Sequence, residues 1–404
     1  MLDATALGVL PNSETDQTAA LQQALDQAAK AGQVLRLPAG VIHAAGLTFP
    51  GNLTVEGVTG ATVLAQWQAG VVGTIAGRSA IVLRDIGFRA EAGAEALLTI
   101  TSSEAVTLER CDFDSAAIGL DIADSAVTIR DCRFNDMGDA AIHSMNSRGL
   151  LISGNRIEGC GNAGIRIWRS QSGPDGSIVT ANRIAKIDWR GGGNGQNGNG
   201  INVYRADEVI VADNHLADCA FSAIRLNSTN DSQVSGNTCL RSGEVAVFSE
   251  FAFSGSIIAG NIVDGAAQGI SITNLDNGGQ LAVCSGNIVR NIAPISLVNP
   301  DTNPVGIAAE AETAITGNTV QGVPGIAIAA GFGPYLRNVL ISANVVSNSL
   351  IGIGVSVVDG AGPVYIGQNA IAADTHAVVG LAWSEIVEPD LLGNAARYSN
   401  VTVA

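Results

Sequence analysis

Apolar and polar residues alternate in short bursts along this chain, and the bursts return at a nearly constant spacing. One burst is Gly-Ile-x-Ile or a near copy: GLDI at Gly119, GIRI at Gly164, GINV at Gly200, GISI at Gly269, GIAI at Gly325 and GIGV at Gly352. Alternation with period two over four or five residues is the pattern of a strand with one buried face. The other burst is an apolar residue, two mostly small ones, Asn and a further apolar residue, as in ISGNRI, VTANRI, VADNHL and IAGNIV. Its nine asparagines are Asn155, Asn182, Asn214, Asn237, Asn261, Asn287, Asn318, Asn344 and Asn369, at steps of 27, 32, 23, 24, 26, 31, 26 and 25 residues. A unit this short cannot bury its own apolar face, so neighbouring copies must complete the core by stacking. Two short strands per unit, separated by Gly and Asn turns, make one coil of a parallel β-helix. Three upstream segments fit the frame with Asn replaced by Ile86, Cys111 and Cys132, which extends the solenoid to about twelve coils.

Helical repeats are the competing architecture, and composition argues against them. Glycine numbers 49 of 404 residues, only two lysines occur, and Val, Ile and Thr dominate the repeats, which suits strands and turns. Asn tolerates left-handed backbone in a turn, and copies stacked about 4.8 Å apart can hydrogen-bond to one another, so the Asn ladder is expected to be structural.

One stretch departs from the strand pattern. In SETDQTAALQQALDQAAKAG, Ser13 is followed three residues later by Asp16, apolar residues sit at Ala20, Leu21, Ala24, Leu25 and Ala28, and Gly32 ends the run. This predicts an amphipathic helix with a capping-box-like start and a glycine stop, placed to seal the open first coil of the solenoid. The segment from Asp3 to Gly40, ending in VLRLPAG, resembles the opening of the pectate-lyase-like right-handed parallel β-helix superfamily. With the repeats, it is most similar to a family of twin-arginine-exported β-helix proteins of unassigned activity. The resemblance implies an all-β, right-handed, single-stranded parallel β-helix with an N-terminal capping helix. It also implies a periplasmic or secreted location, and it leaves chemistry open, because that superfamily holds lyases, epimerases, hydrolases, tail spikes and inert binders. The expected divisions are residues 1–50 for the N-terminal segment and helix, 51–384 for the β-helix and 385–404 for a C-terminal cap or tail.

Charge changes the picture only locally. The net charge of -16 disfavours a polyanion such as nucleic acid, yet residues 148–241 hold 10 of the 21 Lys and Arg against 8 acids. Residues 1–147 hold 8 against 17 and residues 242–404 hold 3 against 12. The middle third is thus a comparatively basic zone between acidic flanks. No run of about 18 apolar residues predicts a membrane span. The six cysteines have no metal-like spacing. Cys111 and Cys132 occupy ladder positions on adjacent coils, near enough for a disulfide, although buried free thiols are the preferred reading.

Side chains alternate along a strand, so the residue between the two apolar positions of Gly-Ile-x-Ile must point outward. Coil by coil, that column reads Asp121, His143, Arg166, Asn202, Arg225, Val247, Ser271. The next outward column reads Ala123, Met145, Trp168, Tyr204, Asn227, Ser249, Thr273, and the residue after it adds Arg169, Arg205 and Glu250. Large functional side chains therefore concentrate on a few consecutive coils. Beside them lies the longest insertion, with Lys186, Asp188, Trp189, Arg190 and the run GGGNGQNGNG, which lacks the Gly-Lys-Ser/Thr ending of a phosphate loop.

Trp and Tyr offer platforms for sugar faces and Arg offers forks for carboxylates, a set suited to an acidic polysaccharide. Neutralising a uronate carboxylate acidifies the neighbouring C5 proton, and β-elimination follows if a base removes it. His143, Lys186 and Tyr204 are the candidate bases, Arg166 and Arg225 the candidate clamps, with Asp188 as a further catalytic carboxylate. Trp168, Arg169, Trp189, Asn202, Arg205, Asn227 and Glu250 are the expected substrate contacts. C5 epimerisation starts from the same proton abstraction. Hydrolysis needs two carboxyls about 5–10 Å apart; Asp121 and Glu250 lie five coils apart, which leaves Asp188 with Glu250 or Asp207. A non-catalytic polysaccharide-binding or structural role is the remaining class. No stack of acids for calcium is found on this face, and no metal or cofactor is expected.

Overall fold

The structure is a computed structural model that describes residues 1–90, 95–193 and 195–404. It divides into two compact units, Met1–Gly192 and Gly193–Ala404, each built of stacked parallel coils. A coil of the first unit runs through three strands rather than two, for example Val127–Arg130, Arg133–Asn135 and Ala140–Met145. The next coil follows as Leu151–Ser153, Arg156–Cys160 and Ala163–Pro174, each strand pairing in parallel with its predecessor one coil back. A coil of the second unit has the same form, with Ile210–Ala212, His215–Cys219 and Ile224–Asn227. The third strand is the Gly-Ile-x-Ile burst. The extra strand arises because the Asn phrase is itself two strands meeting at a corner.

That corner is made by the residue before each Asn, not by the Asn. Gly154 (φ 68°), Ala181 (φ 57°), Gly260 (φ 65°) and Ala343 (φ 57°) are all left-handed, while none of the ladder asparagines is. The Asn side chain turns inward and ties coil to coil. Asn155 donates through its backbone N and its Nδ2 to Asn182 Oδ1, both at 2.9 Å, and through Nδ2 to Ile129 O at 3.0 Å. In the second unit the same bonds run Asn214, Asn237, Asn261, Asn287, Asn318, Asn344, Asn369. Every buried polar group at this corner thereby finds a partner, the condition for placing amides inside an apolar core. Where Asn is replaced, Cys132 N donates to Asn155 Oδ1 at 2.9 Å and Cys111 N approaches Cys132 Sγ at 3.4 Å. All six thiols are free and buried, and burial pushes Cys160, Cys239 and Cys284 up to about 12.

Inward columns of Leu, Ile, Val and Phe fill the coils. Leu120, Ile142 and Ile165 stack in register, and Phe88, Phe113 and Phe134 stack ring on ring at 5.1 and 4.7 Å. A second ladder, formed by serines 22 residues apart, lies in the turn after the third strand. Arg78 N donates to Ser103 Oγ, Ser103 N to Ser125 Oγ and Ser125 N to Ser147 Oγ, at 3.1, 3.1 and 3.3 Å.

The N-terminal helix spans Thr18–Ala31 and ends at Gly32, whose φ of 62° is left-handed. It buries Leu21, Ala24, Leu25 and Ala28, and Gln22 grips the backbone of Thr48 through both its Oε1 and Nε2 at 2.8 Å. The capping box at Ser13 does not form. Ser13 Oγ accepts from Thr15 N, and Asp16 Oδ1 accepts from Thr18 N, so local turns take up both side chains before the helix begins. At the other end, Glu385–Glu388 pairs antiparallel with Ala370–Ala382 and Val401–Val403 adds to Val364–Gly367. No helix among the described residues is long and apolar enough to cross a membrane.

One buried carboxyl makes stability depend on pH. Glu310 is 8% exposed, its Oε2 accepts from Leu275 N at 2.7 Å, and burial pushes its carboxyl from 4.5 up to about 7. Between those values the folded chain holds a proton that the unfolded chain has released, so stability falls as pH rises through that window. Glu310→Gln keeps the acceptor and removes the charge. Its denaturation midpoint is expected to exceed that of the wild type at pH 8 and to match it at pH 4.5; equal midpoints at both pH values would contradict the assignment.

Candidate functional site

In the first unit the third strands place Thr99, Asp121, His143 and Arg166 in one column and Thr101, Ala123, Met145 and Trp168 in the next, as the alternation predicts. The imidazole of His143 meets the Trp168 ring edge to face at 5.4 Å and 84°. The Arg166 guanidinium lies 5.1 Å from the same indole. Arg166 is only 5% exposed and forks onto Asp139, with Nη1 and Nη2 each 2.8 Å from a carboxylate oxygen. Asn162 Nδ2 adds a bond to Asp139 Oδ1 at 2.9 Å.

These contacts set the protonation states. Burial, then the nearby Arg166 charge, lowers the pKa of His143 below 6.5, against opposing pulls from Asp121 and Asp139. The imidazole is therefore neutral at neutral pH, and its buried Nδ1 has no hydrogen-bond partner among the described residues. Asp139 is raised by burial, but the bonds from Arg166 and Asn162 outweigh that and hold it below the usual carboxylate value.

The other predicted residues of this unit make contacts of their own, and the insertion reaches the cluster through Gly191 N, which donates to Asn162 Oδ1 at 2.5 Å. Lys186 is on Arg183–Ile187, a second strand, and its Nζ is 2.7 Å from Glu158 Oε1, while Glu158 Oε2 meets Arg156 Nη2 at 3.1 Å. Asp188 is exposed, accepts from Trp189 N at 2.8 Å and pairs with Arg190 at 3.0 Å. Arg169 turns inward, donating from Nη1 to Ser147 O at 3.1 Å and lying 4.0 Å from the buried Asp175.

In the second unit the column runs Asn202, Arg225, Phe248, Ser271, Ala308, and beside it Tyr204, Asn227, Glu250. Phe248 and Glu250 take the places expected for Val247 and Ser249. The strand Thr238–Glu250 shifts register between Ser242 and Val245, so every later residue moves one position and Val247 and Ser249 face the core. Arg225 is 6% exposed and carries a buried ion network. Its Nε and Nη2 bind Glu250 at 2.7 and 2.8 Å, its Nη1 binds Glu244 at 2.9 Å, and its guanidinium lies 5.0 Å from the Phe248 ring. Burial pulls its pKa down, but Glu250 and then Glu244 outweigh this and raise it. Asn227 Nδ2 also binds Glu250 Oε1 at 2.9 Å, and Arg205 stacks 4.7 Å from the Tyr204 ring.

Within this unit Gly195 of the glycine-rich run packs onto Arg225; Asn194 lies outside the described residues. A Cβ on Gly195 would sit 2.4 Å from Arg225 Cζ, at a φ of 140°, so only glycine lets the backbone rest there. Sequence reasoning missed Asp139 and Glu244, the carboxylates that occupy the two expected clamps. It also missed the serine ladder, although the recurrence of Ser103, Ser125 and Ser147 every 22 residues was a readable signal.

Residues 59–250 match the family described as "Periplasmic copper-binding protein (NosD)", a little under half of the chain. No curated protein matches the sequence. Among solved structures, a PL6 alginate lyase in complex with a trisaccharide superposes with a TM-score of 0.60 at 14% identity, covering 100% of this chain and 93% of the other. A mannuronic acid specific family 6 polysaccharide lyase from human gut microbiota gives 0.52 at 13% identity, covering 95% and 93%. PfbA, a surface adhesin of Streptococcus pneumoniae, gives 0.52 at 12% identity, covering 96% of each chain. With the coils described above, these likenesses show the fold, a right-handed parallel β-helix. The copper in the matched family's description finds no matching donor set here. Among the described residues no three His, Cys, Asp or Glu side chains converge, and all six thiols are buried.

Proposed function

We propose that this chain is a carbohydrate-active protein that takes an acidic, uronate-containing polysaccharide along the third-strand face of residues 1–192 and cleaves it by β-elimination, with His143 as the base. The observation that carries this reading is the pairing of Trp168, a flat sugar platform, with an imidazole kept neutral at 5.4 Å. A neutral imidazole is the form that accepts a proton. The likeness to two polysaccharide lyases agrees with it at the level of fold. A periplasmic or secreted location is part of the same reading, in keeping with the matched family's description.

A second reading, binding without turnover, is favoured by one specific observation. Arg166 and Arg225 spend their forks on Asp139 and on Glu244 and Glu250, so neither offers an open clamp to a substrate carboxylate. The same burial keeps Glu244 and Glu250, each 3% exposed, from flanking a glycosidic bond, which speaks against hydrolysis there.

The test is incubation with uronate polymers while following the ultraviolet absorbance of the unsaturated product. His143→Ala is expected to lower the rate roughly 10²–10⁴-fold and to leave binding in place, whereas Trp168→Ala weakens binding. Because the imidazole is held below its ordinary pKa, the rate should persist further into acid than for an unperturbed histidine and fall only below about pH 6.5. Turnover unchanged in His143→Ala would rule out the base. Binding without any product would establish the second reading, and altered C5 proton exchange without product would point to epimerisation.

A further inference from the structure

The turn that follows the third strand holds a cleft of about 470 Å³ in the first unit, separate from the His143 and Trp168 cluster and unused by the chemistry above. Its shape follows from the serine ladder. Glu104, Ala126 and Arg148 each come directly after a ladder serine, so they occupy one position on three successive coils. Between an acidic and a basic side chain two rungs apart, about 10 Å at the rung spacing, stands an alanine too small to fill the gap. Asp124, Asn146 and Arg169 line it from the neighbouring column, one on each of three successive coils.

Two features mark this as more than a surface dip. Arg169 has a side chain only 12% exposed, and its buried Nε has no hydrogen-bond partner among the described residues. Its Nη1 is met by Ser147 O at 3.1 Å, with the buried Asp175 4.0 Å away, and a single buried donor left without an acceptor is costly. The charge also runs along the slot, with Glu104 and Asp124 toward one end and Arg148 and Arg169 toward the other. A bare anion such as sulfate would meet both signs at once. A sugar ring carrying a carboxylate on one side and hydroxyls on the other matches the gradient, because carboxylates accept from sugar hydroxyls while Arg receives the acid group.

We infer that this cleft is a uronate-binding subsite in which Arg148 and Arg169 hold the carboxylate and Glu104, Asp124 and Asn146 hold the hydroxyls of one sugar unit. The inference rests on the proposed function only for the class of polymer, and the two can fail separately. Binding of a uronic-acid trisaccharide is measured by isothermal titration for the wild type and for Ala126→Leu, Arg148→Ala and Trp168→Ala, each checked for folding by circular dichroism. Ala126→Leu fills the slot and Arg148→Ala removes the exposed cation; each is expected to weaken binding about tenfold or more. The same trisaccharide with its carboxyls reduced to alcohols should bind wild type and Arg148→Ala alike, and sodium sulfate should not compete. If Ala126→Leu and Arg148→Ala bind as the wild type does while Trp168→Ala does not, the cleft assignment falls and the groove reading stands. The opposite pattern keeps the cleft and removes the groove, unchanged binding in all three variants overturns both, and competition by sulfate overturns the uronate assignment.

Discussion

Arg225→Ala is expected to destabilise the second unit by roughly 3–5 kcal/mol, the cost of leaving a buried ion network without its cation. The substitution strands two carboxylates, Glu244 and Glu250, each 3% exposed, that now share three hydrogen bonds from one guanidinium. It also removes the surface on which Gly195 and Phe248 rest. Arg241→Ala is the contrast: its pair with Asp218 is exposed, and such pairs contribute about 0–1 kcal/mol. The measurement is the urea midpoint together with hydrogen-exchange protection of Thr238–Glu250. A combined Arg225→Leu, Glu244→Gln, Glu250→Gln variant should recover much of the loss, because the stranded charge rather than the missing volume dominates. If the single variant melts with the wild type, or the combined variant is worse than the single one, the network is not what holds this strand.

The same residue shows how far a sequence of this kind can be read. Its outward position followed from alternation alone, because a solenoid repeats one local rule and the Asn phrase supplies the register. Two kinds of information were missing. A β-bulge inserts one residue without leaving a periodic trace, so the columns drifted at Ser242–Val245 and Glu250 exchanged places with Ser249. Partners across coils are the other kind. Arg166 meets Asp139 27 residues away and Arg225 meets Glu244 19 residues away, both from turn or bulge positions outside the repeating pattern. Such carboxylates decide whether an arginine is a clamp for substrate or a tie within the wall. The columns were therefore legible, and the state of each side chain in them was not.

The Asn ladder yields the other large expected effect, and it tests why the repeat retains that residue. Asn287 is 1% exposed, and its side chain makes four hydrogen bonds to neighbouring coils beside a longer one from Nδ2 to Cys284 Sγ at 3.4 Å. Its Oδ1 accepts from Asn261 N and Nδ2 at 2.9 and 3.0 Å, and its Nδ2 donates to Ile258 O and Asn318 Oδ1 at 3.0 and 2.9 Å. At about 1 kcal/mol net per bond, with more for a backbone N–H left buried and unpaired, Asn287→Ala should cost roughly 3–5 kcal/mol. The chain itself supplies the milder variant. At Cys132 a thiol occupies the corner and still receives the backbone N of Cys111, so Asn287→Cys should lose about half as much as Asn287→Ala. Asn369→Ala, at the half-buried end of the ladder, should lose least. Urea midpoints and the exchange rate of the Asn261 amide read all three. An Asn287→Cys variant as damaged as Asn287→Ala would mean that the side-chain amide donor, not the acceptor facing the backbone N–H, is what the corner requires.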